Sequence, residues 1–317
     1  MKELTKYKTK GLFLKYDEDG HTTTIHLPQG LIQDLPKAKF YKDDNKIIAE
    51  LNGEQSQVYP SQIWERTTKK GIDIVIRIAR TFPEISAGKK ILLDHYMGIP
   101  SRGLFITVYK KEDLDKAKEA ESKGSNGEKK EVEPVACGCL DRLYYAMPVG
   151  RKKIFEAADR KDLIDSFFDK KDGKSKQKDK TTDAEKENTS DTPNRSNAVN
   201  DVRIAWISRI AVVKSEQKLG IGSTLARVMG TIAHDAMLPH ADFIEVFMSY
   251  PAKPKSENEE KSEYERRMED NLYYEAGFER YSDSEIKSPQ MVFPEREESG
   301  YISTKKIYCY KDLRSEK

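Results

Sequence analysis

Ile204-Ala-Trp-Ile-Ser-Arg-Ile-Ala-Val-Val-Lys-Ser-Glu-Gln-Lys-Leu-Gly-Ile-Gly-Ser-Thr-Leu-Ala226 is the stretch on which the reading of this chain turns. Its first half is a mostly apolar, β-branched run that favours a strand, and its end opens a helical pattern. The join between them is a short loop that carries Gly220 and Gly222. Neither residue has a Cβ, so the backbone can turn tightly there and come close to a ligand. The helix that follows adds unpaired amides and the positive end of its dipole. That combination suits a pyrophosphate. The loop lacks the three glycines of a dinucleotide fingerprint and the Gly-Lys-Ser/Thr ending of a Walker loop, so a different phosphate binder is needed.

Working outward, Arg203 to Val213 reads as a strand, Gly222 to Ala236 as a helix, Phe243 to Met248 as a strand and Glu263 to Glu275 as a helix. Upstream, Ile72, Ile74, Ile76 and Ile78 recur at a period of two, which favours a strand. After Pro83, Ile85, Ile91, Leu92 and Tyr96 can line one face of a helix ending near Gly98. Two further strand-like runs, Leu104 to Tyr109 and Pro134 to Tyr145, flank the polar stretch Asp115 to Glu131, which reads as a long hairpin loop or in part as a helix. Alternating β and α elements predict an α/β (α+β) sandwich, a mixed central sheet flanked by helices.

The amino-terminal part is different in character. Leu12-Phe-Leu-Lys-Tyr, Thr22-Thr-Thr-Ile-His-Leu and Lys46-Ile-Ile-Ala-Glu-Leu are short β-prone runs, with turn signals at Asp19-Gly20, Pro28, Pro36 and Asn52-Gly53. The expected organisation is a small β-rich domain over residues 1–68 and a larger domain over 69–317. The larger domain carries an insert at 169–198. Asp169 to Asn197 offers Ala184 as its one apolar side chain, too little burial to offset the entropy of ordering, so this insert is expected to be disordered.

Composition narrows the partners. Charged residues make up 35% of the 317 and apolar ones 37%, with 56 basic and 54 acidic side chains, so the chain is no polycation drawn to phosphate by net charge. No run is apolar for the roughly 18 to 20 residues that a bilayer crossing needs, and Met1 to Lys10 lacks the apolar stretch of a secretory signal. A soluble, cytoplasmic protein without a membrane partner is the expectation. The three cysteines, Cys137, Cys139 and Cys309, lack paired zinc spacing and read as reduced, buried thiols with no metal. Cys137-Gly-Cys139 sits in a strand-like run, so both thiols point to one face of a sheet.

Gln217-x-x-Gly220-x-Gly222 after the strand Arg209-Ile-Ala-Val-Val resembles the coenzyme-A pyrophosphate loop of the GNAT acetyltransferases, whose pattern is Arg/Gln-x-x-Gly-x-Gly/Ala. Asn271-Leu-Tyr-Tyr-Glu-Ala-Gly-Phe resembles the family's second signature, a tyrosine four residues before a Gly-Phe pair. With the β-then-α opening at Gly71, the resemblance covers residues 71–310. It implies an N-acetyltransferase that moves an acetyl group from acetyl-CoA to an amine-bearing acceptor. The loop residues Gln217, Lys218, Leu219, Gly220, Ile221, Gly222, Ser223 and Thr224 would hold the pyrophosphate. The backbone of Ile210, Ala211, Val212 and Val213 would pair with the pantetheine arm, with Val212 polarising the thioester carbonyl.

By the same resemblance, Tyr273 is the expected acid for the departing thiolate; its plainer role is a tyrosine packed beneath the sheet, like its neighbour Tyr274. His95 falls where the family's acceptor groove often begins. Trp206 and Ser208 stand where many members carry a glutamate, so the general base has no candidate. That departure keeps open a catalytically weak, CoA-binding regulatory module. The run Thr22-Thr-Thr-Ile-His-Leu-Pro-Gln-Gly-Leu-Ile-Gln-Asp-Leu, followed by Lys46-Ile-Ile-Ala, is similar to the AbrB-type swapped-hairpin DNA-binding domain, in which a strand leads through a proline into a short helix. That likeness implies a homodimer and a nucleic-acid-modifying acyltransferase, with Lys37, Lys39 and Lys42 as phosphate contacts; an ordinary β module would show the same turns. The basic run Arg151-Lys-Lys153 reads as the solvated approach to a helical segment over Ile154 to Phe168.

Overall fold

The computed structural model describes residues 1–7, 13–18, 20–28, 30–60, 63–92, 103–122, 132–142, 150–167, 201–251, 271–280 and 304–315. In the amino-terminal unit, β1 (Lys2–Glu3), β5 (Lys39–Asp43), β6 (Lys46–Leu51) and β7 (Glu54–Tyr59) form one sheet, in the order β1-β5-β6-β7. β2 (Lys6–Tyr7), β3 (Phe13–Glu18) and β4 (His21–His26) form a second. The Asn52-Gly53 signal is realised as the β6–β7 hairpin turn, both residues at positive φ (54° and 85°), which matches the twist of the flanking strands. After Pro28, residues 30–37 run as turns where the AbrB likeness implied a helix.

Among the described residues the large sheet has eight strands, in the order β14-β15-β13-β12-β11-β10-β9-β8. In chain order these are β8 (Ile63–Thr67), β9 (Asp73–Ile78), β10 (Leu104–Lys110), β11 (Ala136–Arg142), β12 (Ile204–Val212), β13 (Phe243–Pro251), β14 (Glu279–Arg280) and β15 (Thr304–Asp312). Six neighbouring pairs are antiparallel, while β12 and β13 run parallel. The sheet therefore begins before Gly71: β8 pairs with β9, Thr67 opposite Asp73.

Among the described residues six α-helices accompany it: α1 (Phe82–Leu92), α2 (Lys111–Ser122), α3 (Arg151–Ala157), α4 (Lys161–Phe167), α5 (Ile221–Thr231) and α6 (Leu272–Glu275). The polar stretch expected as a hairpin loop or in part as a helix thus starts inside α2, and the helical segment expected over Ile154 to Phe168 is covered by two helices. α5 passes into a π-helical turn, Ile232–Ala236. Because α5 carries the chain back along the sheet, β13 enters parallel to β12, as a βαβ crossover requires. Among the described residues no helix is long and apolar enough to cross a membrane. The insert over Asp169 to Asn197 and most of the helix expected over Glu263 to Glu275 lie outside the described residues.

Alternation along the strands sends Ile74, Ile76, Ile106, Val108, Leu140, Ile207, Ile244 and Val246 into one core with Leu225, Val228 and Met229 of α5. The same core takes in Leu14, Phe40, Ile47 and Val58 of the amino-terminal unit, so apolar burial binds the two parts together. Polar contacts join them as well. Ser56 Oγ donates to the Ala236 carbonyl at 2.8 Å, and Leu238 N donates to the Leu31 carbonyl at 2.7 Å. Arg203 pairs with Glu54 and with Asp242. The other face of the sheet carries two separate clusters. Leu92 of α1 packs with Phe105, Cys137, Cys139 and Ala211, whereas Ile154 and Phe155 of α3 pack with Leu163, Ile204, Phe243 and Tyr308.

Candidate functional site

The site is built around a strand that parts from its neighbour. β12 pairs with β13 from Ile204↔Phe243 to Ile207↔Val246, where that ladder ends. Beyond it β12 stays with β11 up to Val212↔Ala136, while β13 stays with β15 up to Pro251↔Thr304. The parting has a local cause. β12 carries a bulge: Cys139 faces Arg209 and Leu140 faces Ile207, so Ser208 is the extra residue. A bulge bends its strand and sharpens its twist, which turns the end of β12 away from β13.

The backbone groups on that edge can then be assigned. Val213 donates its N–H to the Val135 carbonyl at 2.9 Å, on the β11 side. Strand amides alternate in direction, so Ala211 also faces β11, and Ile210 and Val212 turn their N–H groups into the wedge. Of the four residues expected to meet the pantetheine arm, two therefore turn their N–H groups into the wedge. An extended ligand with amides of its own could add here as a strand would.

The loop at the wide end of the wedge is held in place from several sides. A 3₁₀ turn, Lys214–Glu216, follows Val213, and Lys110 pairs with Glu216 at 2.7 Å. Gln217 Nε2 donates to the Val212 carbonyl at 3.3 Å. Lys218 and Gly220 take positive φ, 65° and 78°. Gly220 is the residue just before α5, and its left-handed backbone is what favours glycine, since a Cβ there would make only ordinary contacts with Thr68 and Lys69. Leu219 packs partly against the core. The Ser223 and Thr224 hydroxyls both donate to the Gly220 carbonyl, at 3.1 Å and 2.9 Å, and Thr224 N bonds there too at 3.1 Å. What remains for an anion is the set of first-turn amides of Ile221, Gly222 and Ser223, which have no intrahelical acceptor. Lys214 and Lys218 on the loop and Lys69 and Lys70 on the neighbouring turn are exposed cations around it.

Tyr273 lies on α6, next to Leu272, the residue by which that helix meets the loop. Asn271 caps this helix, its Oδ1 accepting from Tyr273 N at 2.8 Å, and Arg227 of α5 donates to the Glu275 carbonyl at 3.0 Å. A Cβ on Gly222 would lie 3.5 Å from Leu272 Cδ2 and 3.6 Å from Val212 Cγ2, so the loop, the strand end and the start of α6 converge there. The Tyr273 ring meets Phe278 edge-on at 5.6 Å and is half-buried. Tyr274 points elsewhere, to the Cys309 thiol, which burial pushes up to about 12. His95 lies outside the described residues.

Several residues read differently once folded. Arg151 is fully buried and paired with Glu245, not part of a solvated helix approach, because its guanidinium finds a carboxylate beneath α3. Lys37 pairs with Asp34 and Lys42 with Glu18, so two of the three cations offered for phosphate contact already have carboxylate partners. Cys137 and Cys139 do share a face, under α1, and burial pushes the Cys137 thiol up to about 12. Sequence reading passed over Asp141 entirely; its register opposite Trp206 depends on the pairing of β11 with β12. No family model matches the chain, and no curated protein matches it.

Proposed function

We propose that this protein is an acetyl-CoA-dependent N-acyltransferase of the GNAT type. The observation that carries the reading is a coincidence of place. The glycine-capped start of α5, with its unpaired amides, stands at the open end of the wedge between β12 and β13. A phosphate-bearing ligand with an extended amide arm needs those two features side by side. The β12–β13 parallel pair within an otherwise antiparallel sheet, with α5 between them in sequence, agrees with the same reading.

In this reading the amides of Ile221, Gly222 and Ser223 hold the pyrophosphate, and Ile210 and Val212 hold the arm. Acetyl-CoA supplies the activated acyl group. The Val212 N–H is aimed at the charge that develops on the thioester oxygen as an amine attacks, which is where a fixed donor lowers the barrier. Holding both reactants in line accounts for a further share of the rate. Tyr273, adjacent to Leu272 on α6, donates the proton that the leaving thiolate takes up.

The test is calorimetric titration of the full chain with acetyl-CoA, alongside a Gly220→Glu variant that places a carboxylate in the phosphate loop. Micromolar binding that the variant loses is the expected result. Absence of binding by the unaltered protein at millimolar ligand would overturn the reading.

A further inference from the structure

The turn that joins β8 to β9 brings two lysines to the phosphate loop from outside it. Lys69 and Lys70 lie between Thr67, the last residue of β8, and Asp73, the first of β9. The turn is fixed internally. Thr68 is buried, and its Oγ1 accepts from Lys70 N at 3.3 Å and from Ile72 N at 3.2 Å. Thr68 N donates to the Ile72 carbonyl and Gly71 N to the Thr68 carbonyl, both at 2.9 Å, with Gly71 at φ 77°. The turn is also seated against the loop: a Cβ on Gly220 would lie 3.4 Å from Thr68 Cβ and 3.5 Å from Lys69 N. Both lysines stay exposed.

Charge at this place is one-sided. Among the described residues Lys69, Lys70, Lys214 and Lys218 have no carboxylate partner, whereas Lys110 pairs with Glu216 and Lys111 with Glu65. Those pairs hold two carboxylates of the neighbourhood, and a third, Asp73, accepts from Thr67 Oγ1 at 2.6 Å. Cations left unpaired around free amides make a local field that favours an anion. The singly charged phosphates of a pyrophosphate are served by the first-turn amides and by Lys214 and Lys218 of the loop itself. Lys69 and Lys70 are then left over.

The first turn of α5 has two flanks, because residues two apart on a helix do not face the same way. On the Gly222 flank stand Leu272 Cδ2 and Val212 Cγ2, at the mouth of the wedge. On the Gly220 flank stand Thr68 and Lys69. A coenzyme whose arm leaves its phosphates past Gly222 into the wedge therefore sends its other end, the nucleoside, out past Gly220 toward the turn. The nucleoside of coenzyme A carries a further phosphate, a monoester on the ribose with about 1.5 to 2 negative charges at neutral pH.

We propose that the turn over residues 68–71 is a subsite for the ribose 3′-phosphate of coenzyme A, with Lys69 and Lys70 supplying its counter-charge, so that the protein selects acetyl-CoA over the same molecule without that phosphate. This rests on the acyltransfer reading above and names the form of the co-substrate that is taken. Both lysines precede residue 71 and lie outside the strand, glycine loop and helix that carry that reading. Selection is thus a property of the β8–β9 turn, separate from the grip of the loop on the pyrophosphate.

The experiment is calorimetric titration of the full chain with acetyl-CoA and with acetyl-dephospho-CoA, which lacks only the ribose phosphate. The unaltered protein should bind acetyl-CoA about 10-fold more tightly, and the preference should shrink as salt is raised. A double variant, Lys69→Met with Lys70→Met, should lose the preference by weakening acetyl-CoA alone, with affinity for the dephospho form unchanged. Because both side chains are exposed, its thermal unfolding should match that of the unaltered protein. Lys214→Met with Lys218→Met should weaken both ligands by the same factor. Equal affinity of the unaltered protein for the two ligands overturns the proposal, and so does a Lys69 and Lys70 variant that keeps the preference or weakens both ligands alike. A preference abolished by the loop pair instead puts the phosphate on the loop and overturns it too. Failure of the unaltered protein to bind either ligand is a different result, and it takes down the acyltransfer reading as well.

Discussion

Arg151 and Glu245 form a two-point ion pair from which both side chains are wholly withdrawn from solvent: Arg151 Nε donates to Glu245 Oε2 at 3.0 Å and Nη2 donates to Oε1. The Tyr308 hydroxyl adds a third donor to Oε2 at 2.8 Å. Such a pair contributes little net stability against an apolar replacement, yet breaking it strands a buried charge. Arg151→Met should therefore cost about 3 to 5 kcal/mol in denaturant unfolding. The double change Arg151→Met with Glu245→Leu should recover much of that loss. Equal destabilisation by the single and the double variant would contradict this account.

The two loop glycines should separate on substitution. Gly220 has φ 78°, so Gly220→Ala carries a backbone penalty of about 1 to 2 kcal/mol. A Cβ on Gly222 meets only ordinary contacts, so Gly222→Ala should leave stability within about 1 kcal/mol while still weakening acetyl-CoA binding, because the methyl stands among the first-turn amides. Thermal unfolding and calorimetric titration on both variants check this.

Tyr273→Phe retains the ring that packs on Phe278 and removes only the hydroxyl. Stability should hold, KM for acetyl-CoA should hold, and kcat should fall about 100-fold with loss of the alkaline limb of the profile. A variant as active as the original assigns Tyr273 to packing alone.

Asp141 ties stability to pH with a definite sign. Its folded carboxyl is lifted by burial, so its contribution is fully present at pH below the unfolded carboxylate range and is lost as pH rises through the folded value. Asp141→Asn should raise Tm at pH 7, and the gain should shrink toward zero as the pH is lowered past 4 or so, about the ordinary carboxylate pKa. A gain that grows on acidification would reverse the sign and refute the argument.

The thiols should be inert. Burial pushes Cys137 and Cys309 up to about 12 and Cys139 higher still. The thiolate is the reactive form, so all three cysteines should resist a disulfide reagent at pH 8 in the folded protein and react fully on unfolding.

What could be read before folding was local. The alternation of Ile74, Ile76 and Ile78 reports a strand because successive side chains take opposite faces, whatever the rest of the chain does. Asn52-Gly53 reports a hairpin because few residue pairs accept positive φ twice in succession. The strand, glycine loop and helix from Ile204 to Thr231 were legible for the same reason, and so were the first-turn amides of α5.

Sequence alone thus determined a mixed α/β chain, most of its strands and the place of its glycine-capped helix. Tertiary structure alone decided that β8 joins the large sheet, that Ser208 is a bulge, that β12 parts from β13 after Ile207, and that Leu272 brings α6 to Gly222. It also decided that Arg151 is buried and that Asp141 stands across from Trp206. Each of these is a matter of register or facing between residues distant in the chain, where a shift of one position exchanges the two faces of a strand. Local propensity carries no record of that choice, because the burial shared by the whole core makes it.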